Sequence, residues 1–224
     1  WEGIGRWYWT LARDRMEPTP EVSAKARELT AGLGEPLEKI RSLYEFVQGR
    51  VNYVAIELGI GGFQPHASGE VLRNLYGDCK DKATLLLAMM KAVGLVGHPV
   101  LILTRDSGTH DATQPTPGFN HAIVAIPQPH GYLFLDTTST TAPFGDLPWS
   151  DQGASALVVL DEGRSHYVVT PVYAADRNAT RWTVTATLAS DGSLEGNYLM
   201  EAWGAARVDY AGFLDSAKPT ERDD

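Results

Sequence analysis

The sequence has little cysteine and no long apolar run, and these absences narrow what the protein can be. Its 224 residues include a single cysteine, Cys79, which excludes an internal disulfide framework and leaves a free thiol. No run of about 18 consecutive apolar residues occurs, so the sequence predicts no membrane-spanning helix. Acidic residues outnumber basic ones, and the formal net charge is −9. This argues against nucleic acid as the main partner, because such binding depends on clustered Lys and Arg.

Motifs for metals and nucleotides are missing as well. There is no His-Glu-x-x-His pair and no second cysteine, so a zinc centre would have to be assembled from scattered histidines. The glycines at 59, 61 and 62 are not followed by the Gly-Lys-Ser/Thr ending of a phosphate loop, and a turn is the better interpretation. We therefore expect no metal and no cofactor. With 43% hydrophobic and 21% charged residues, the chain can bury a sizeable core.

The spacing of apolar residues changes along the chain from one typical of helices to one typical of strands. Helical spacing predicts helices at 21–30, 36–49 and, most strongly, 78–93. Short β-branched runs predict strands, first at 51–56 and then, beyond residue 98, at 98–104, 120–126, 131–136, 155–160 and 166–170. Helices followed by strands favour an α+β layer structure.

The chain divides into three stretches. Residues 1–20 are rich in aromatic side chains and end in two prolines, so we interpret them as a connector or the tail of an upstream domain. Residues 21–176 would form the core. Residues 177–224 contain a predicted hairpin with Asp191-Gly192 at its tip, and we expect them to begin a C-terminal β unit that is truncated. The sequence opens on Trp1 and has no signal-peptide pattern, as expected of a piece of a longer protein.

The cysteine stands at the beginning of the strongest predicted helix. In GDCKDKATLLLAMM, Asp78 is a natural N-cap, and Cys79 lies four residues before Ala83 on the apolar stripe. A lone cysteine is often a small buried hydrophobe, so a structural role is one interpretation. The first turn of a helix nevertheless favours negative charge and lowers the pKa of a thiol. The position therefore suits a nucleophile, provided that a base lies close by.

Among the six histidines, His121 differs because it opens the apolar strand NHAIVAI. The next strand, GYLFLD, ends in Asp136. If the turn between them comprises residues 127–130, Ile126 pairs with Gly131 and His121 lies directly opposite Asp136, within reach of its carboxylate. A shift of one residue would place the two on opposite faces of the sheet. Without this pairing, Asp136 would be interpreted as a turn residue that ends its strand.

Three motifs together resemble a known family. GDCKDKATLL with Cys79, NHAIVAI with His121 and LFLDTTS with Asp136 occur in the order of the transglutaminase-like domain. More narrowly, they resemble the bacterial type that is flanked by an N-terminal β domain of unknown function. The resemblance extends over residues 21–171. It implies a papain-like cysteine protease fold, in which the cysteine-bearing helix packs on an antiparallel sheet that carries the histidine and the aspartate.

The resemblance further implies acyl transfer or hydrolysis at a peptide or side-chain amide. Cys79 would form a thioester, His121 would transfer protons, and Asp136 would orient the ring. The backbone N–H of Cys79 and the side chain of Gln64 are candidate donors to the oxyanion. The expected partner is a peptide or protein substrate, and the expected location is the bacterial periplasm or cell envelope. We favour hydrolysis over transamidation, because no feature of the sequence excludes water or offers a pocket for an amine.

In a second interpretation, the domain has the same fold but no catalytic activity. A domain of this type could bind peptides or organise an envelope complex without turnover, since a fold does not fix a function. The presence of all three residue types of the expected triad favours the enzyme. The sequence leaves the substrate and the oligomeric state open.

Overall fold

Helices precede the main sheet along the chain, as the change in hydrophobic period predicts. The computed structural model describes residues 1–216. The helices in this range are α1 (Glu2–Ala12), α2 (Pro20–Leu29), α3 (Pro36–Arg50), α4 (Ser68–Asn74), α5 (Cys79–Ala92) and α6 (Ala205–Ser216). The strands are β1 (Asn52–Tyr53), β2 (Tyr76–Gly77), β3 (His98–Leu103), β4 (His121–Gln128), β5 (Gly131–Leu135), β6 (Ser155–Val159), β7 (Ser165–Val169), β8 (Thr180–Leu188) and β9 (Leu194–Ala202). The predicted α+β class is confirmed. None of the helices within residues 1–216 is long and apolar enough to cross a membrane.

Five strands form the central sheet in the order β5-β4-β3-β6-β7, and every neighbouring pair is antiparallel. Both faces of this sheet are buried. Val124 and Ile126 of β4 belong to the main core together with α5, whereas Ile123 and Ala125 belong to a second apolar cluster. This two-sided burial is the reason why the strand sequences are nearly continuous apolar runs.

Helix α5 lies at the centre of the domain. Its N-cap Asp78 accepts a hydrogen bond from the Asp81 N–H, and the Asp81 side chain accepts one from the Asp78 N–H, each at 3.2 Å. These reciprocal bonds form a capping box. The sequence predicts one apolar face, but residues 79–90 are all buried, because α2, α3, α4 and β4 all pack against this helix. Its charged residues Lys80 and Lys82 are consequently buried as well.

The first twenty residues pack against the core. Tyr8 and Ala12 of α1 and the following Met16 are buried in the main apolar cluster. Trp1 stacks on Tyr167 of β7 with 4.5 Å between the ring centroids. The assignment of this stretch to an upstream domain stays a prediction, and α1 itself contacts β6 and β7 of the central sheet.

The β-like run at 51–56 is mostly irregular. Only Asn52 and Tyr53 form a strand, and they pair in parallel with Tyr76–Gly77 directly before α5. The glycine-rich residues 59–62 form a short 3-10 turn, which agrees with the interpretation of this segment as a turn. The short parallel pairing fixes the chain at the point where it enters α5.

The predicted C-terminal hairpin is present as a sheet of its own. Strands β8 and β9 pair along their whole length, from Thr180 with Ala202 to Leu188 with Leu194. Residues 217–224, the end of the expected β unit, lie outside the described residues. The division of the chain into three stretches stays a prediction.

The variant Gly77→Ala tests the tight approach of the chain to α5. A Cβ on Gly77 would lie 2.6 Å from Asp81 Cβ and 2.9 Å from Asp81 Oδ2, so the capping box would have to shift. We expect a loss of about 1–3 kcal/mol in the free energy of unfolding, measured by urea denaturation. Gly49→Ala is the matched control, because a Cβ there meets nothing within 4 Å. A Gly77→Ala protein as stable as this control would contradict the prediction.

Candidate active site

Cys79 lines a cleft to which both helices and sheet contribute. It is the first residue of α5 and is 6% exposed. The cleft has a volume of about 410 Å³, and its lining includes His121 at the start of β4. Trp7 of α1 and the aromatic side chains Phe63 and Phe119 form other parts of its wall. The thiol-bearing residue and the histidine therefore border the same space.

Two buried charges beside Cys79 neutralise each other. Asp78 and Lys80 are almost fully buried, and the Lys80 ammonium group donates a hydrogen bond to the Asp78 carboxylate. The N–H groups of the first helical turn have no acceptor within the helix. The dipole of α5 consequently favours negative charge at the end where Cys79 stands.

The β4–β5 hairpin differs from the predicted register by two residues. Gln128, and not Ile126, pairs with Gly131, so the turn between the strands has two residues instead of four. Asp136 therefore lies diagonally from His121, and the predicted direct opposition was wrong. A shift of two residues leaves every side chain on its original face, because the side-chain period of a strand is two. His121 Nε2 still lies 3.4 Å from Asp136 Oδ1.

Burial and charge act in opposite directions on this histidine–aspartate pair. Burial works to lower the pKa of His121, but the charge of Asp136, the hydrogen bond to it and the interaction with the Cys79 side chain raise the pKa well above its usual range. Burial works to raise the pKa of Asp136, but the charge of His121 together with the hydrogen bonds from His121 and Thr138 outweighs it, so this pKa is lowered. The pair thus favours an imidazolium beside a carboxylate. Since Asp136 engages Nε2, Nδ1 is the ring nitrogen left for the thiol.

The aspartate is held by its own turn and by α3. Asp136 Oδ1 accepts hydrogen bonds from the N–H and the hydroxyl of Thr138, both at 2.8 Å. The hydroxyl of Tyr44 donates to the main-chain oxygen of Asp136 at 3.0 Å, and Gln48 Nε2 donates to that hydroxyl at 2.9 Å. Asp136 is therefore a turn residue and a partner of His121 at once. The sequence did not indicate that α3 supports Asp136. It showed Tyr44 only as one of the apolar positions of a predicted helix.

A third ionisable group that the sequence did not indicate lies beside this pair. Asp151, in a 3-10 turn at 149–151, is buried, and one of its carboxylate oxygens lies within 4.8 Å of ligand atoms of both His121 and Asp136. By this spacing the three groups could hold a metal ion. A second cleft, of about 500 Å³, reaches all three. Burial and, next, the charge of Asp136 raise the pKa of Asp151 to about 7. The surrounding segment WSDQG carries no signal that distinguishes this aspartate from an ordinary turn residue.

Gln64 does not join Cys79 in its cleft. Its side-chain N–H donates to the Leu11 carbonyl at 3.3 Å, and its side-chain oxygen accepts from Arg15 at 3.4 Å. Within the described part of the chain, Gln64 is not among the residues that line the cleft around Cys79. Its amide is hydrogen-bonded to Leu11 of α1 and to Arg15, which follows that helix. We therefore withdraw Gln64 as a donor to the oxyanion. The backbone N–H of Cys79 is at the helix start, as expected.

His66 ties the segment before α4 to the start of α5. Its main-chain N–H donates to Asp81 Oδ1 at 2.7 Å, and its ring Nδ1 lies 3.0 Å from Asp81 Oδ2. The hydrogen bond to Asp81 raises the pKa of His66. Asp81 therefore completes the capping box and anchors this segment with the same carboxylate.

The chain belongs to the transglutaminase-like superfamily. The family model matches residues 23–137, just over half of the 224 residues. This range contains Cys79, His121 and Asp136. The narrower bacterial type with an N-terminal β domain stays a prediction.

Two solved bacterial structures match parts of the chain, and the first resembles its fold. One, described as a candidate protease from Parabacteroides distasonis, has a TM-score of 0.57 at 17% identity, over 84% of this chain and 38% of that one. The other, described as a candidate cysteine protease from Cytophaga hutchinsonii, has a TM-score of 0.41 at 14% identity, over 57% of this chain and 42% of that one. At these identities the likeness concerns the fold alone, and the match spans less than half of either protein. No curated protein sequence matches the chain.

The His66–Asp81 contact predicts a pH-dependent contribution to stability. Because the folded pKa of His66 is raised, its stabilisation is complete below the unfolded value of about 6.5 and is lost as pH rises through the folded pKa. We expect His66→Gln to lower the melting temperature more at about pH 5.5 than at about pH 9. His130→Gln, at the exposed β4–β5 turn, is the control. An equal loss at both pH values would show that His66 acts without its charge.

Proposed function

We propose that the protein is a cysteine-dependent acyl hydrolase or acyltransferase that acts on peptide or side-chain amides through a thioester on Cys79. One observation carries this proposal: Cys79 and His121 border one cleft, and Nε2 of the same ring lies 3.4 Å from Asp136 Oδ1. Nucleophile, base and orienting acid are the three roles that covalent acyl transfer needs. Membership of the transglutaminase-like superfamily supports this assignment.

Acylation would begin from a thiolate on Cys79 paired with the imidazolium of His121, which holds the proton of the thiol on Nδ1. The thiolate attacks the carbonyl carbon of the amide, a C–S bond forms, and the carbonyl π electrons move to oxygen. The backbone N–H of Cys79 is a candidate donor to this oxyanion. As the oxyanion collapses, the C–N bond breaks, and His121 returns the proton to the leaving amine. Asp136 keeps the ring in the orientation and tautomer that these transfers require.

Deacylation would use the same ring in the opposite direction. His121 takes a proton from the acceptor, water or an amine, as the acceptor oxygen or nitrogen attacks the thioester carbon. The C–S bond then breaks, and the sulfur leaves as the thiolate, which is paired again with the imidazolium. We propose water as the acceptor. A peptide or protein substrate and a location in the bacterial periplasm or cell envelope stay predictions from the resemblance.

The reactivity of the thiol tests the assigned base and its orienter. We expect His121→Ala to slow alkylation of Cys79 by iodoacetamide at neutral pH by about tenfold or more, because an isolated thiol is mostly protonated there. Asp136→Asn should slow it less, and should cut the rate more than it cuts stability, since the orienting charge is lost and the side chain keeps its shape. The alkylated protein is counted by intact mass. His130→Ala is the control. Alkylation that is unaffected by the loss of His121 would refute an activated thiol.

Trapping the acyl-enzyme separates catalysis from binding. We expect incubation with a mixture of short peptides and peptide amides to give a mass adduct on the wild-type protein that hydroxylamine removes, as a thioester requires. Cys79→Ala should give no adduct and no turnover while remaining folded, because alanine suits the buried position. Turnover that persists in Cys79→Ala would contradict the mechanism. Peptide binding without adduct or turnover in the wild type would favour the alternative, an inactive module that binds peptides or serves a structural role in the envelope.

A further inference from the structure

Asp151 is a buried acid beside His121 and Asp136 to which the proposed mechanism gives no task. It is 1% exposed and ends the short turn at 149–151. An oxygen of its carboxyl group lies within 4.8 Å of ligand atoms of His121 and Asp136. An ionised carboxylate in such a place is strongly unfavourable unless a cation or hydrogen-bond donors compensate it.

The hydrogen bonds of Asp151 are incomplete if the group is ionised. Its Oδ1 accepts from the hydroxyl of Ser150 at 2.9 Å. Its Oδ2 is buried, and none of the residues in the range 1–216 donates a hydrogen bond to it. The neighbouring Asp136 already accepts from Thr138 and faces His121. Two ionised carboxylates cannot hydrogen-bond to each other, because both only accept. A proton on Asp151 turns its unpaired oxygen into a donor.

We propose, building on the proposed function, that Asp151 is a positioning residue: it retains a proton and donates a hydrogen bond to Asp136, so that the two acids share one negative charge facing His121. Asp136 then remains the ionised member of the pair and keeps its contact with the ring. Among the described residues, Asp151 is not one of those that line the cleft around Cys79. It acts on the reaction through its contact with Asp136.

The electrostatics of the cluster agree with this assignment. Burial first and the negative charge of Asp136 second raise the pKa of Asp151, and the hydrogen bond to Asp136 adds to them, whereas the charge of His121 and the hydrogen bond from Ser150 lower it. The resulting pKa is about 7. When two carboxyl groups share a site, one of them has its pKa raised and keeps the proton. Asp151 is therefore the protonated member below neutral pH and loses the proton above it.

Other charged or titratable groups face the pair from neighbouring elements. Lys82 of α5 interacts favourably with the charge of Asp136. Asp106, in the turn at 105–107, borders the same cleft but is exposed to water. Arg105 of that turn packs over the ring of Trp149, which precedes Asp151 in its turn, with 5.1 Å between the guanidinium carbon and the ring centroid. Three phenols are also close, namely Tyr44 of α3, Tyr53 of β1 and Tyr173, whose pKa values are all raised. All three phenols stay neutral near pH 7. Ionisation of Asp151 would therefore add a second negative charge directly beside Asp136.

Infrared spectroscopy of the wild-type protein tests the proton directly. We expect the carbonyl band of a protonated carboxylic acid at about pH 6 and its loss at about pH 8.5, because the two values bracket the raised pKa. Asp151→Asn should remove the band, whereas Asp106→Asn, the control for an exposed acid of the same cleft, should leave it. A wild-type spectrum without the band at the lower pH would overturn the proposal, and this readout requires no variant to fold.

The alkylation rate of Cys79 tests the effect on the site. Asparagine keeps a donor and carries no charge, so we expect Asp151→Asn to stay within about twofold of the wild-type rate at pH 6. We expect the wild-type rate to change in a step near pH 7, where Asp151 ionises, and Asp151→Asn should lack this step. Asp151→Ala removes the donor, and we expect it to lower the rate by about fivefold or more at pH 6. Equal losses in both variants, or a step near pH 7 that persists in Asp151→Asn, would overturn the proposal.

Two further controls separate the possible failures. A divalent metal bound to the purified protein, with an alkylation rate that changes on adding EDTA, would overturn the shared proton, since a cation would then satisfy the two acids. If His121→Ala alkylates as fast as the wild type, the proposed function fails. The infrared band of Asp151 is independent of that result, so failure of the triad and failure of the shared proton give different outcomes.

Discussion

The reciprocal hydrogen bonds between Asp78 and Asp81 fix the first turn of α5, and the position of Cys79 depends on them. This turn is buried, so each of its charged groups requires a partner. Lys80 binds Asp78, and the Asp81 carboxylate also accepts from His66. Gly77 makes the arrangement possible, because any side chain there would overlap Asp81. The cysteine is thus held by polar contacts made by its neighbours, while the remainder of the helix is held by the apolar core.

The second half of the candidate site is a strand end supported from three directions. β4 brings His121 to the cleft, β5 leads into Asp136, and the Tyr44 hydroxyl of α3 binds the Asp136 carbonyl. These segments are far apart in sequence, so the site exists only once helices and sheet have packed together. Burial of the histidine and the aspartate also strengthens their mutual attraction, because the local dielectric is low.

Several ionisable groups are buried in the interior beside this cleft. Lys82 is fully buried, donates to the Val51 carbonyl at 2.7 Å, and has its pKa lowered to about 8, chiefly by burial. The pKa of Asp151 is instead raised, to about 7, and burial is again the largest cause. Such groups cost stability, and their clustering with perturbed pKa values is typical of functional sites.

Local rules were sufficient to predict much of this domain. Helical spacing and the capping residues gave the position of α5 and of Cys79 at its start, because both depend on residues within four positions of each other. The two-residue period of strands placed His121 and Asp136 on one face, and this conclusion survived an error of two residues in the register. Sequence alone did not give that register, because a turn of two residues and one of four are both compatible with the apolar pattern.

Packing between distant segments decided the rest. Gln64 could be assigned to α1 and not to the cleft only when α1 was in place, and the burial of α5 on all sides required three other helices. Asp151 became distinguishable from any other turn aspartate only when the fold brought it beside Asp136. Periodicity and capping are properties of neighbouring residues, whereas the burial and the charge environment of a side chain are set by whatever the completed fold places around it.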